Sequence, residues 1–551
     1  MTTTTTPAAT TARRDTPTRA RALAGTGELI RLAVRRDRVL LPVGILGITL
    51  FAVSSAKATL ALYPTAESLD AGIKTIFANP SAVALYGPIT DPTDPDALAV
   101  VKTTMLGAVL LAIFGYAVVR RHTRSEEEDG RFELVGAGTV GRPAPLVAAL
   151  SVAAGAVLLT CLLTGLGYAA LGMDLRGSLA SVSGWAATGL AFVGITAVAA
   201  QLASTARGCA GLAMGALGGF FLLRAVADSR PTVPGWVSWL SPVAWTSKAD
   251  AFAGDRGWVV LLGVATLLGA AAIAFALLQR RDLGAGLLPA RRGRTNAGAT
   301  LRGPVGLAWR LGRTGLIGWS IGLLIGGLVV GSLAASALDM FKDPAIADLL
   351  RKMGGGQGLL GDVYLTTELG FIAIIAAAYG ITVVARWRSE ETRGHSEQVL
   401  ATATSRDRYA ASHLLIALLG TAVLLTLLGL GSAAGDAANG ATLGGLGRVL
   451  PAALVRLPAV WVVVGVAVAA LGWLPRWTAA ISWGALAWCL LVGEFGGVFG
   501  LPGWLMNLAP FTHVPRMPVE PFSWEPMIWL SVVAFGLLTL GVAGHRRRDI
   551  G

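Results

Sequence analysis

The chain has 551 residues, of which 54% are hydrophobic and only 14% charged, and its mean hydropathy is +0.64. Soluble domains carry about 25% charged residues, so this composition excludes an ordinary soluble protein and predicts an all-α polytopic membrane protein. The net charge of +13 is explained by basic segments that lie against anionic lipid headgroups, and no nucleic-acid partner is expected.

Apolar stretches of about 20 residues, the length that a helix needs to cross a bilayer, recur along the chain. They predict about twelve transmembrane helices, six in each half. The predicted spans of the first half are Val39–Ala61, Ala99–Val119, Leu146–Leu171, Val182–Leu202, Gly208–Val226 and Trp258–Leu278. Those of the second half are Thr314–Ala335, Leu365–Val384, Ala410–Leu430, Val449–Leu474, Trp477–Val498 and Met527–Ala543.

The segments outside the spans complete the predicted domain organisation. Residues 1–27, rich in Thr, Ala and Pro, lack the apolar core of a signal sequence and are predicted to be a disordered cytoplasmic tail. From Glu28 a charged stripe at helical spacing predicts an interfacial helix before the first span. The alternative is a basic segment that serves only to keep the N-terminus in the cytoplasm. The first transmembrane domain is then 28–284, a cytoplasmic linker 285–303, and the second transmembrane domain 304–551.

Three short motifs occur twice, in the same order. An acidic stretch beginning Ser-Glu-Glu lies at residues 125–137 and again at 389–401, Pro-Gly-Trp at 234–236 and 502–504, and Arg-Arg-Asp at 280–282 and 547–549. Three motifs that recur after nearly the same number of residues indicate a duplicated unit of roughly 265 residues rather than a short repeat.

Arginine is unevenly distributed between the loops. It is concentrated before the first span, in both acidic loops, in the linker and at the C-terminus, whereas the loop after the first span is mainly acidic. Since basic loops remain in the cytoplasm, both termini and both acidic loops are predicted to be cytoplasmic, and the two halves are parallel rather than inverted repeats.

Patterns typical of catalysis or metal binding do not stand out in the sequence. The five histidines do not fall at metal-ligand spacing, the three cysteines form no CxxC pair, and no GxxxxGK[ST] loop occurs. We therefore expect no catalytic residue, no metal and no cofactor, and any ATP must be bound by a partner protein.

The duplicated acidic loop carries a family resemblance. An acidic cluster, a glycine and a glutamate three residues later, with an arginine at Arg142 or Arg406 closing the segment, resemble the loop between the second and third helices of type-2 (ABC-2) ABC exporter permeases. In that family a short coupling helix in this loop docks on the ATP-binding subunit. The family's Gly-Thr step is replaced here by Gly-Arg and Gly-His. The resemblance implies that the coupling residues are Glu126, Glu127, Gly130, Glu133, Glu390, Glu391, Gly394 and Glu397.

Two such units fused in one chain are similar to the permeases of polyketide-antibiotic exporters of the tetronasin type. The resemblance implies ATP-driven export of hydrophobic or amphipathic compounds from a bacterial plasma membrane, with two copies of a separate ATP-binding protein. A secondary transporter of the major facilitator type is the alternative, because it also has six-plus-six parallel repeats. A membrane-embedded enzyme would need surface acids such as Asp91, Asp94 and Asp96, which we interpret as a solvated turn.

Charges inside spans are the other functional candidates, because each costs about 2.5 to 3.5 kcal/mol near the bilayer centre. They are Lys57, Lys102, Arg224, Glu368, His413, Arg456 and Glu494. The two lysines lie near span ends and are expected to reach the interface. Arg224 and Glu494 fall at nearly equivalent positions late in the two fifth spans, and we hypothesise that they form a pair along the transport path.

Overall fold

The computed structural model describes residues 23–62, 86–88, 91–136, 138–229, 233–288, 295–296, 298, 301, 303–339, 357–438, 445–494 and 502–548. The chain forms two compact units, Met1–Arg292 and Gly293–Gly551, and the boundary between them falls within residues 285–303. Most of the predicted N-terminal tail, up to residue 22, lies outside the described residues.

The described residues of the first unit form helices joined by turns and contain no strand. Its helices are α1 (Thr26–Arg36), α2 (Leu40–Leu62), α3 (Pro95–Arg120), α4 (Glu126–Glu128), α5 (Arg131–Gly136), α6 (Ala144–Ala170), α7 (Leu175–Leu202), α8 (Ala206–Ser229), α9 (Trp236–Trp239), α10 (Trp245–Lys248) and α11 (Val260–Gln279). A π-helical turn, Arg121–Ser125, continues α3 into α4, so the second span runs directly into the duplicated loop.

The second unit repeats this order, again without a strand among its described residues. Its helices are α12 (Pro304–Asp339), α13 (Gln357–Thr392), α14 (His395–Leu400), α15 (Arg406–Ala438), α16 (Leu446–Leu454), α17 (Leu457–Trp473), α18 (Thr478–Trp488), α19 (Gly503–Met506) and α20 (Trp524–Arg547). Here the second span and the first part of the duplicated loop form one continuous helix, α13.

Eleven helices in the described residues are long and apolar enough to cross a membrane, which confirms an all-α polytopic membrane protein. The fifth span of the second half is represented by a shorter apolar helix, Thr478–Val492, and the predicted end of that span, after Glu494, lies outside the described residues. The fourth span of the second half is interrupted between α16 and α17 rather than running as one helix. Pro458 explains the break, because it has no backbone N–H to donate to the preceding turn.

The core of the first unit is built around α7, which packs against α3, α6, α8 and α11. Trp185 of α7 is fully buried and packs against Gly107 of α3, where a Cβ atom would come within 2.0 Å of the indole ring. A small residue is therefore required at the crossing of these two helices.

The core of the second unit includes a close pair of helices, α12 and α15. Gly327 and Gly331 on α12 face Gly431 and Gly435 on α15, and a Cβ atom on any of the four would come within 2.3 Å of a backbone carbonyl oxygen of the other helix. Small residues four apart on both helices let the backbones touch, which is the usual way that membrane helices pack tightly.

The amphipathic helix predicted from Glu28 is present as α1, which packs on α6 through the buried Ala33. Leu32 and Val34 are exposed on the described surface of this helix. Apolar side chains that the protein itself does not cover are suited to a position in the membrane interface.

Candidate functional site

The duplicated loop has the same backbone turn in both halves. Gly130 and Gly394 lie at φ +72° and +71°, and their amides donate to the carbonyls of Glu127 and Glu391, each over 3.1 Å. This left-handed region costs other residues about 1 to 2 kcal/mol. The repeated glycine is thus explained by the turn that begins the short helices α5 and α14.

The second glutamate of the first acidic loop is buried in an ion-pair cluster. Both oxygens of Glu127 accept from the Arg281 guanidinium, at 2.5 and 2.9 Å. The amide of Gly284 donates to the same carboxylate over 2.6 Å, and Arg124 Nη1 lies 3.1 Å from it. Gly284 has φ +81°, and this turn after α11 aims its amide at Glu127. The first and third duplicated motifs therefore bind each other.

Two further arginine contacts tie this cluster to neighbouring helices. Arg124 donates to the carbonyl of Ala200, at the end of α7, through Nε at 2.9 Å and Nη2 at 2.6 Å. Arg142, just before α6, donates to the carbonyls of Leu278 and Arg281 over 3.0 and 2.6 Å. Carbonyls at a helix C-terminus have no partner within the helix, so Arg142 caps α11. We call Arg124, Glu127, Arg142 and Arg281 the first clamp.

The second half has a cluster of the same design. Glu391 is bound by Arg548, lies 3.3 Å from Arg388 Nη1 and lies 3.3 Å from His545 Nδ1. Arg406 donates to the carbonyl of Arg548 over 3.0 Å, as Arg142 does to Arg281. We call Arg388, Glu391, Arg406 and Arg548 the second clamp. Each clamp thus joins the helix of the second span, the start of the third and the end of the sixth.

The structure divides the predicted coupling residues into buried and exposed groups. The side chains of Glu127 and Glu391 are each only 3% exposed, because they belong to the clamps. Glu133 and Glu397, on α5 and α14, are exposed. A partner could reach the latter pair without breaking any described ion pair.

The first glutamate of each loop is half-buried and also has partners within its own half. Glu126 is bound by Arg36, the last residue of the amphipathic helix α1, and lies 3.5 Å from His122. Glu390 accepts from the Tyr409 hydroxyl over 3.0 Å. The coupling role predicted for all eight loop residues stays a prediction, and the geometry gives Glu133 and Glu397 the most accessible positions.

The arginines of the two clamps were not predicted from the sequence as site residues. Arg281 and Arg548 were noted only as part of a repeated motif, and Arg142 and Arg406 only as the ends of the loop. The available signal was that the acidic loop and the Arg-Arg-Asp motif are duplicated together. If two residues contact each other, both must be retained in each copy of a duplicated unit for the contact to persist. Joint duplication of two motifs therefore indicates that they contact each other.

A cavity of about 400 Å³ lies beside the first clamp. Its charged and polar lining residues are Thr123, Glu127, Arg142, Gln201, Arg281 and Asp282. Its apolar lining is chiefly Phe132, Pro145, Leu146, Leu278 and Leu283. The cavity therefore lies between the short helix α5 and the end of the sixth span.

The corresponding place in the second half contains a packed aromatic cluster. Trp387 is 1% exposed, its ring stacks on His413 at 5.4 Å, and it meets His545 edge-on at 4.9 Å and Tyr409 edge-on at 6.4 Å. In the register of the repeat, Trp387, Tyr409 and His545 occupy the positions of three residues that line the first-half cavity. Those three are Thr123, Pro145 and Leu278.

The predicted Arg224 and Glu494 pair is not tested, because the Glu494 side chain lies outside the described residues. Arg224 itself is buried in α8, 3.8 Å from Asp228 one turn later. Its guanidinium also lies 4.8 Å from the Phe221 ring centroid. A carboxylate within the same helix therefore already neutralises part of this charge.

The three aspartates at the start of α3 are engaged in local hydrogen bonds. Asp91 accepts hydrogen bonds from both the hydroxyl and the amide of Thr93, each over 2.7 Å. These two bonds lower the pKa of Asp91, and the hydroxyl has the larger effect. Asp94 accepts from the amide of Asp96 at the N-terminus of α3, and Asp96 accepts from the amide of Asp174. This is the geometry of a turn and a helix cap.

Both halves of the chain are similar to known proteins. A family model described as "Multidrug efflux system permease Rv1217c, C-terminal domain" matches residues 30–281 and 301–546. The multidrug efflux system permease protein Rv1217c of Mycobacterium tuberculosis (strain ATCC 25618 / H37Rv) is 38% identical over 545 residues, which cover 97% of this chain and 97% of that protein. The similarity therefore extends over both halves of the chain.

Proposed function

Because this chain belongs to the family of the multidrug efflux permease Rv1217c, we propose that it is the membrane permease of a drug exporter. It forms the translocation path for hydrophobic or amphipathic compounds and lies in a bacterial plasma membrane, with both termini in the cytoplasm. Its energy comes from ATP hydrolysed by a separate ABC protein, bound in two copies. Within ABC exporters it is of type 2, similar to the tetronasin-type permeases.

The observation that carries this proposal is the pair of clamped loops. An ATPase can move a membrane bundle only through a rigid element that it can reach. Helices α5 and α14 each present an exposed glutamate, Glu133 or Glu397, and each adjoins a buried, hydrogen-bonded cluster. A surface contact and a firm connection to the spans are thus combined in one loop of each half.

The clamp determines which helices follow the loop. A force on α5 is transmitted through Glu127 and Arg281 to the end of α11, through Arg124 to the end of α7, and through Arg142 to the start of α6. The second, third, fourth and sixth spans of that half would then move together at this end. Rigid-body motion of this kind is a common basis of switching.

Co-purification from native membranes tests the proposal. Tagged protein is solubilised in mild detergent, and the bound ATPase is quantified for the native chain and for the double variant Glu133→Lys with Glu397→Lys. We expect the native chain to retain a nucleotide-binding subunit and the double variant to lose most of it, because two attractive contacts become repulsive.

The control is Glu525→Lys, an exposed charge reversal in the first turn of α20, at the opposite end of that helix from the second clamp. It should retain the ATPase. The proposal is overturned if no ATPase co-purifies with the native chain while the purified protein transports substrate in liposomes under an ion gradient alone. That result would establish a secondary transporter.

A further inference from the structure

The cavity beside the first clamp has the size and lining of a ligand site. Its volume of about 400 Å³ lies within the range of about 300 to 1,000 Å³ typical of small-molecule pockets. Most of its wall is apolar, and its polar groups come from Thr123, Glu127, Arg142, Gln201, Arg281 and Asp282. A ligand with one polar end and one apolar end would match this division.

The lining contains two arginines, Arg142 and Arg281, and two carboxylates, Glu127 and the exposed Asp282, so a negative group would bind at the arginine that still has donors to offer. Arg281 is fully occupied, since its three nitrogens donate to Glu127, to Gln201 and to nearby carbonyls. Arg142 uses only Nη2, for the two carbonyls that it caps, and its other nitrogens donate to no group among the described residues. Arg142 also precedes the N-terminus of α6, where the helix dipole attracts anions. Glu127 is already neutralised by two arginines.

Among the described residues, the second clamp forms without a cavity of this kind beside it, so the ion pairs of a clamp do not require one. There the same charges are held while Trp387 packs against Tyr409 and His545, and His545 lies 3.3 Å from Glu391. Buried space without contacts reduces stability, and large residues at these positions are compatible with the repeated architecture. Thr123 and Pro145, which are smaller than Trp387 and Tyr409, therefore leave room beside the first clamp.

We propose that this cavity binds an amphipathic anion, with its acidic group at Arg142 and its chain against Phe132, Pro145, Leu146 and Leu278. The ligand is either the headgroup and proximal chain of an anionic lipid or a free amphipathic acid, since both present the same chemistry. Bound there, it lies between α5 and the end of the sixth span, where it would stiffen the first clamp alone.

Equilibrium binding to the purified full chain in neutral detergent tests this site, with dodecanoate as the anionic probe and dodecanol as its uncharged counterpart. We expect the native chain to prefer dodecanoate. Thr123→Trp, which introduces the side chain present in the second half, should weaken binding of both probes by about tenfold or more. Arg142→Gln, which can still donate to the α11 carbonyls, should weaken dodecanoate binding alone by about tenfold.

The matched control is Trp387→Phe, which alters the aromatic cluster of the second half and should leave binding unchanged. Competition by phosphatidylglycerol but not phosphatidylcholine would identify a lipid as the occupant, and absence of competition would identify a free acid. Equal affinity for the two probes, or dodecanoate binding unaffected by both Thr123→Trp and Arg142→Gln, overturns the proposal. Binding is measured without an ATPase or transport, so the result is independent of the proposed function.

Discussion

The two clamps contain the same charges, but their surroundings differ. In each half a glutamate side chain that is 3% exposed is held by an arginine from the end of the sixth span, and a second arginine caps that span. Around the first clamp there is a cavity, whereas around the second there is a stacked aromatic cluster. The ion pairs are therefore the conserved design of the repeat, and the packing beside them is free to diverge.

The two clamps also differ in what stabilises them. The first clamp relies on charge-assisted hydrogen bonds, including the Gly284 amide, whereas the second adds a dense group of rings. Exposed ion pairs contribute little to stability, but breaking a buried pair leaves an uncompensated charge. The halves should consequently respond alike to charge removal and differently to changes of volume.

The largest difference is expected for Trp387→Ala. Truncating a buried tryptophan in a packed cluster should lower the free energy of unfolding by about 3 to 5 kcal/mol. Thr123→Ala, at the equivalent position beside the cavity, removes only a hydroxyl and a methyl group and should cost about 1 kcal/mol. Denaturant titration of the solubilised protein measures both, and equal losses would refute the difference in packing.

Charge removal should affect the halves equally. Glu127→Gln and Glu391→Gln each leave two arginines without their carboxylate, and each should cost about 3 kcal/mol. Adding Arg281→Gln to Glu127→Gln should recover part of the loss, because the two residues are coupled. Glu133→Gln serves as the exposed control. A loss confined to one half would show that the clamps are not equivalent.

The smallest effect concerns the two loop glycines. Gly130→Ala and Gly394→Ala should each cost about 1 to 2 kcal/mol, because both lie at positive φ. No atom lies within 4 Å of either added Cβ, so the cost is conformational only. Asn, which tolerates this region better, should restore part of the stability at both sites in the same titration. Unequal losses would contradict the shared turn geometry.

Much of the fold was accessible from the sequence because lipid imposes a simple pattern on it. Apolar runs predicted twelve spans, of which eleven are present in the described residues as helices long enough to cross a membrane, and the residue repeats predicted two similar halves. The interruption near Arg456 was not predicted. The run Val449–Leu474 is apolar throughout apart from Arg456, and hydropathy alone does not register a missing backbone donor at Pro458.

The candidate site was predictable in its location but not in its contacts. The glutamates were identified because they recur, yet the sequence does not show that Glu127 faces inward and Glu133 outward. That distinction depends on Arg281, which lies 154 residues further along the chain. Long-range ion pairs leave no local periodicity, so only the joint duplication of both motifs indicates them.

The same separation in sequence has a consequence for biosynthesis. At a translation rate of about 5 to 20 residues per second, Arg281 is synthesised roughly 8 to 30 seconds after Glu127. Glu127 is therefore without this ion-pair partner during that interval. Arg548 similarly follows Glu391 by 157 residues. Each half can close its own clamp as soon as its sixth span is made, and the first can be complete before most of the second is translated. Duplication in tandem thus preserves a self-sufficient unit of assembly.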